Sequence, residues 1–376
     1  MDPAGSPSAP GWKTPFVIEG IGARVRQAVE GLTPGYFALV MATGILSVGM
    51  HLEGFDILST VLLGVCCTGF VVLLVLTGWR LVAYRGAVVE DFTDPRRGFG
   101  FFTFVAGTNV LGVRLGLAGF HEATAVLLVV AGLAWLALGY VVPWTAVLGR
   151  QERPVLATAN GTWFIWVVAS QSVAVAAATI EPVFDPVRRE LAVLAIVSWS
   201  VGVFLYGATG LLVSLRLMLY EFGPEELTPS YWVSMGALAI TVLAGARIVE
   251  MADAPMVAVT RDLIAGLAVV FWAFATWLIP VLVAAGWWRH VSRGVPLRYE
   301  ATLWSIIFPL GMYAVAGIYL GRADDLPVVE AVGSAELWVA FAACVLVFAA
   351  MVVHVVRTVL TPTGRQTSAR EAGLRG

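Results

Sequence analysis

Apolar runs of about 20 residues recur along the whole chain, and a run of that length crosses the hydrocarbon core of a bilayer as a helix. Ten are legible, near residues 34–54, 57–83, 99–119, 123–148, 160–180, 190–220, 229–250, 257–288, 301–321 and 335–360. Only 13% of the residues are charged, about half the share of a soluble domain. The fold class that follows is all-α integral membrane, with ten transmembrane helices. Thr33-Pro34 gives a start signal for the first: a hydroxyl cap, then a proline at the first helical position. Cys66, Cys67 and Cys344 fall within predicted spans and offer neither a disulfide framework nor metal-ligand spacing.

Ten spans return the chain to the side on which it started. Lys13, Arg24 and Arg26 precede the first span. Arg80, Arg85, Arg96 and Arg97 follow the second, Arg150 and Arg153 the fourth, and Arg289, Arg293 and Arg298 the eighth. Arg216 closes the sixth, and Arg357, Arg365, Arg370 and Arg375 end the chain. The opposite loops carry Glu53, Asp56, Glu122, Glu181, Asp185, Asp253, Asp324, Asp325 and Glu330. Cytoplasmic loops are the arginine-rich ones, so both termini are predicted to be cytoplasmic. The expected organisation is a cytoplasmic N-terminal segment (1–32), a ten-helix transmembrane domain (33–360) and a cytoplasmic tail (361–376). Residues 1–12, rich in Pro, Gly and Ser, read as disordered and lack the charged start and apolar core of a cleaved signal peptide. Ile18, Ile21, Val25, Val29 and Leu32 then recur at helical spacing opposite Arg24 and Arg26. That pattern fits an amphipathic helix on the membrane surface or a plain lead-in to the first span. With a net charge of −2, nothing suggests a nucleic-acid partner.

The odd-numbered spans start alike: Pro34-Gly35-Tyr36-Phe37, Gly100-Phe101-Phe102, Asn160-Gly161-Thr162-Trp163, Pro229-Ser230-Tyr231-Trp232 and Thr302-Leu303-Trp304. Setting Phe37, Phe102, Trp163, Trp232 and Trp304 in register gives spacings of 65, 61, 69 and 72 residues. The unit is a helical hairpin, repeated five times in parallel orientation. Aromatics also gather at membrane interfaces by default, but small and hydroxyl residues follow them in most copies. The even spans are richer in Val, Leu and Ala. This contrast predicts five quasi-symmetric hairpins, with an inner ring of polar-flecked helices around a central pore and an outer ring facing lipid.

Candidate pore-lining residues are Met41, Thr43, Ala106, Thr108, Val167, Ser170, Ser234, Gly236 and Ser305. The competing reading for each hydroxyl is a bond to its own helix backbone. Arg114 and Arg247 lie late in inner spans, and Glu250 follows Arg247 by one turn. They read as interfacial or ion-paired arginines or as an anion-attracting ring. The inner helices present their positive N-terminal ends to the cytoplasmic mouth, near Arg96, Arg97 and Arg298. An uncharged pore with a positive mouth suits small anions and weak acids better than cations.

The fifth copy differs from its sisters. Four residues after each register aromatic stand Met41, Ala106, Val167, Gly236 and Phe308, and only the last is aromatic. Pro309 follows it and removes one helical hydrogen bond. A bulky ring among smaller neighbours describes a steric plug, set against a core phenylalanine packed between helices.

The ten-span order, with PGYFALVMATGILSVG in span 1, NGTWFIWVVASQSVAVAAA in span 5, PSYWVSMGALAI in span 7 and LWSIIFPLG in span 9, resembles the tellurite-resistance/dicarboxylate transporter family over residues 33–360. That family includes TehA-like proteins, fungal malic acid permeases, sulfite efflux pumps and plant slow-type anion channels. The resemblance implies a plasma-membrane homotrimer with one pore per subunit, and an occluding phenylalanine that Phe308 matches. It implies transport of C4-dicarboxylates such as malate, or of tellurite, sulfite or similar anions. Arg114 and Arg247 match no part of the family pattern. Histidines at 51, 121, 290 and 354 are scattered at span ends without HxxxH or ExxH spacing, so no enzyme, metal or cofactor is expected. A sensor or scaffold without flux is the remaining alternative.

Overall fold

The computed structural model describes residues 20–149, 153–251 and 254–360. Its helices are α1 (Ile21–Glu30), α2 (Ala38–Leu52), α3 (Asp56–Ala83), α4 (Arg85–Thr93), α5 (Phe102–Leu117) and α6 (His121–Val142). They continue as α7 (Phe164–Ile180), α8 (Arg188–Leu219), α9 (Val233–Val249), α10 (Pro255–Trp287), α11 (Trp304–Ala323) and α12 (Pro327–Val355). Ten helical segments are long and apolar enough to span a membrane, and the described residues contain no strand. The tenth begins at Pro327, eight residues before the expected start. Proline at the first helical position fixes φ for the helix, and Glu330 in the first turn is held by Arg322 at 2.7 Å. The disordered reading of 1–12, Ile18 of the amphipathic pattern and the tail 361–376 lie outside the described residues.

α1 does form, burying Val29 while Ile21 stays exposed, and it packs on α3 and on the last turn after α12. α1 and the turn Val356–Leu360 therefore share one face of the bundle.

Five helices close a ring: α2 meets α5, α5 meets α7, α7 meets α9, α9 meets α11, and α11 returns to α2. Each outer helix packs on the inner helix before it, α3 on α2, α6 on α5, α8 on α7, α10 on α9 and α12 on α11. Between 78 and 89% of the apolar stretch of each inner span is buried, against 11 to 33% of each outer one. The odd/even reading of the sequence thus matches the observed rings.

Each inner helix enters through a short 3₁₀ turn: Pro34–Phe37, Gly98–Phe101, Gly161–Trp163, Pro229–Trp232 and Ala301–Leu303. These turns touch one another in the same cyclic order and form a collar. Thr33 makes no side-chain cap bond, because the chain enters through this tighter turn; Asn160 does cap, accepting from Thr162 N–H at 2.8 Å. The first α-helical residues are Ala38, Phe102, Phe164, Val233 and Trp304, so the second and fifth copies sit one residue off the aromatic register. Close backbone approach tightens the collar. A Cβ on Gly161 would lie 2.3 Å from the Ser230 carbonyl carbon. Tyr36 and Tyr299 hydroxyls share a 2.8 Å hydrogen bond, and Trp304 Nε1 donates to Tyr299, joining first and fifth repeats. Burial, aided by the Tyr36 bond, pushes the Tyr299 phenol far above its ordinary pKa.

Candidate functional site

The inner ring is held to the outer one by polar pins. Trp135 Nε1 donates to Ser170 Oγ (2.9 Å), Gln171 Nε2 to the Trp199 carbonyl (3.1 Å), and Trp199 Nε1 to the Thr241 carbonyl (3.1 Å). Thr276 and Tyr313 hydroxyls share a 2.7 Å bond. Bonds of this kind glue helices where no water competes. They also account for several candidate hydroxyls. Ser170 is turned toward α6, while Thr43, Thr108 and Ser234 donate to the carbonyls of Leu39, Phe104 and Tyr231 on their own strand of chain. Ser305 is buried.

Inside the ring lies a narrow axial cavity to which all five inner helices contribute. Its walls are Ile45 and Val48 of α2, Asn109, Val110 and Val113 of α5, and Ser172, Val175 and Thr179 of α7. Ile240, Leu243 and Arg247 of α9 and Met312 and Tyr319 of α11 complete it. Its volume of about 20 Å³ admits about one water. None of the nine candidate pore-lining residues borders this cavity. Met41, Ala106, Gly236 and Phe308 instead stand four residues before Ile45, Val110, Ile240 and Met312, hence on the same helix faces one turn nearer the collar. In α7 the residue so placed is Val168, before Ser172, rather than Val167.

The side chains of this layer are buried. Met41, Ala106, Val168 and Phe308 are each at most 2% exposed. α11 runs unbroken through Pro309, whose ring fills the space a Cβ on Gly236 would occupy, 2.8 Å away. Gly236 thus serves as the notch for Pro309, and this contact sets α11 against α9.

The two late arginines part company. Arg247 lines the cavity, its Nη1 2.8 Å from Glu250 Oε2 and its guanidinium over the Tyr319 ring. Arg114 turns away from the axis toward α2 and α3, where Nε donates to Ser47 Oγ (2.9 Å) and Nη2 to Ser59 Oγ (2.9 Å). It is 5% exposed, and its Nη1 has no partner among the described residues. At the collar end, Arg97 is bound by buried Asp91 at 2.8 Å, which Arg80 holds from the other side at 2.7 Å. The Arg96 N–H donates to Asp94 and its carbonyl receives Asn160 and Thr162, whereas Arg298 is exposed. Arg216 and Arg289 tie loops by bonds to the Ala157 and Leu227 carbonyls. At the far end of α7, burial raises the Glu181 carboxyl pKa, opposed by Arg188 at 3.0 Å.

On the sequence, Asn109 and Ser172 count among the polar residues that mark the inner spans but not among the pore-lining candidates, and Thr179 is not singled out, although an asparagine at membrane depth is a costly residue that signals a role.

The model of the SLAC1 family, described as voltage-dependent anion channel, matches residues 31–352. The chain belongs to this family. Its members are membrane anion transporters and channels, in keeping with the TehA-like resemblance. An uncharacterised membrane protein, found in two strains of Mycobacterium tuberculosis, is 62% identical over 156 residues, covering 42% of this chain and 79% of the relative. Two uncharacterised transporters of Methanocaldococcus jannaschii are 24% identical over 324 and 322 residues, 83% of this chain and 90% and 92% of theirs.

Proposed function

We infer that the axis of the inner ring is an anion pathway, closed in this structure at the layer of Phe308. The observation that carries this reading is the axial cavity bordered by all five inner helices, with Phe308 one turn before Met312 on its wall. By the helix faces that border the cavity, Phe308 shares its layer with Met41, Ala106, Val168 and Gly236. One helix therefore supplies an aromatic ring among four smaller side chains, of which Met41 is the largest, and Pro309 seated on Gly236 fixes where that ring falls.

Electrostatics favour anions. Five helix N-termini converge on the collar, and each carries about half a positive charge. At the other end Arg247 borders the pathway, and buried Arg114 adds a positive field without a carboxylate within hydrogen-bonding reach among the described residues. Candidate cargoes are small inorganic anions, tellurite and sulfite among them, and C4-dicarboxylates such as malate. In this reading residues 33–360 form the pore domain, flanked by cytoplasmic segments 1–32 and 361–376, in the plasma membrane. The arginine-rich loops support that orientation, and the family resemblance supports a homotrimer with one pore per subunit. Anion flux into proteoliposomes, compared between wild type and Phe308→Ala, tests the proposal.

A further inference from the structure

Among the described residues bordering the axial cavity, Asn109 carries the sole carboxamide, and it is 1% exposed. Its Nδ2 donates to Ser172 Oγ at 2.9 Å, and that hydroxyl donates to the Ala169 carbonyl at 2.7 Å. Its Oδ1 is buried and has no partner among the described residues. A buried polar atom left unbonded is costly, and here the unused capacity stands beside room for about one water. Apolar side chains supply most of the remaining wall, so an ion passing this level loses water and gains little elsewhere.

We propose that the Asn109–Ser172 pair is the hydrogen-bonding station at which a permeating anion exchanges hydration for protein contacts, and that it sets selectivity among anions. The proposal rests on the pore reading above. A carboxamide presents a donor on one side and an acceptor on the other. With the axis holding a water, Oδ1 accepts from that water while Nδ2 stays on Ser172. With an anion present, a half-turn about χ2 brings Nδ2 to the axis and Oδ1 to Ser172. The Ser172 hydroxyl then swings from the Ala169 carbonyl to Oδ1, and that carbonyl keeps its place in the α7 ladder. Each arrangement leaves both side chains bonded. The pair is neutral, so the ion is compensated without being trapped, while Arg247 lies one to two turns further out on the same wall.

The test uses the full chain in proteoliposomes on a Phe308→Ala background, with chloride and nitrate as probes. Asn109→Leu keeps the branched shape and the number of heavy atoms and removes the donor. Chloride, the more strongly hydrated ion, loses roughly tenfold or more in flux, the worth of a hydrogen bond to a charged group. Nitrate loses less, so the nitrate/chloride ratio rises. Asn109→Gln, which keeps the amide, retains part of the chloride flux. Unchanged flux and ratio in Asn109→Leu overturn the proposal while leaving the pore reading standing. Absence of any anion flux in Phe308→Ala itself overturns the pore reading. Should Asn109→Leu fail to fold, Ser172→Ala carries the same expectation with a smaller loss, and an unchanged ratio there is equally fatal.

Discussion

The buried inner ring is the less apolar of the two, and the lipid-facing outer ring the more apolar. In water that order would be reversed. In a bilayer the outer helices must satisfy hydrocarbon on most of their surface, and Phe204, Val259 and Leu346 stand 81%, 86% and 72% exposed. The inner helices meet mostly protein, so small residues allow close approach and hydroxyls join neighbours. The contrast teaches that stability of this fold resides in backbone proximity within the ring and a few polar pins from the ring to its outer helices. Variation on the outer wall should matter little.

The sharpest way to break that contrast is a pair of glycine substitutions. Gly161→Ala places a methyl against the Ser230 backbone in the collar, with no flexible side chain to yield. It should cost about 3 kcal/mol or more, seen as a collapse in Tm and in monodisperse yield from detergent. Gly64→Ala on outer α3 has nothing within 4 Å and should hold or slightly raise Tm, because alanine favours helix. Equal losses at the two sites would abolish the inner/outer distinction.

Arg114→Met probes the ring at a smaller scale. Ser47 and Ser59 already donate to each other's backbone carbonyls, at 2.7 and 2.6 Å respectively, and serve the arginine only as acceptors. Removing the guanidinium strands no donor and relieves a buried charge, so stability should change by less than about 1 kcal/mol. Anion-over-cation preference, read as a reversal potential, should fall. A large drop in Tm with unaltered preference would make Arg114 a structural residue.

The mildest effect concerns the edge of the ring. Burial raises the Glu181 pKa in the folded state, so the folded protein holds that proton more tightly than the unfolded chain. Stability from this group is greatest at low pH and declines as pH rises from the ordinary carboxylate value through the raised one. Glu181→Gln should flatten the fall in Tm over that window, and an unchanged Tm–pH slope would count against it.

Much of this architecture was legible because lipid and protein select different side chains. The ten spans, the five hairpins and the sorting into rings all follow from that selection. The azimuth of inner helices was not legible. A helix buried on every side has no apolar stripe to reveal which face meets the axis. Arg114 and Arg247 occupy similar depths in sequence yet turn away from and toward the axis. Ser170 serves α6, and Val168 rather than Val167 shares the face of Ser172. Likewise, Arg80, Arg216 and Arg289 read as generic loop charges but make specific loop contacts. Phe308 was singled out because it breaks the repeat, a signal that needs no azimuth.

The most direct test of the central claim is anion flux through purified wild type and Phe308→Ala in proteoliposomes, matched for folded protein. The account predicts at least about a tenfold rise in the variant, which needs a barrier only about 1.4 kcal/mol lower. Equal flux from two equally folded proteins would contradict it.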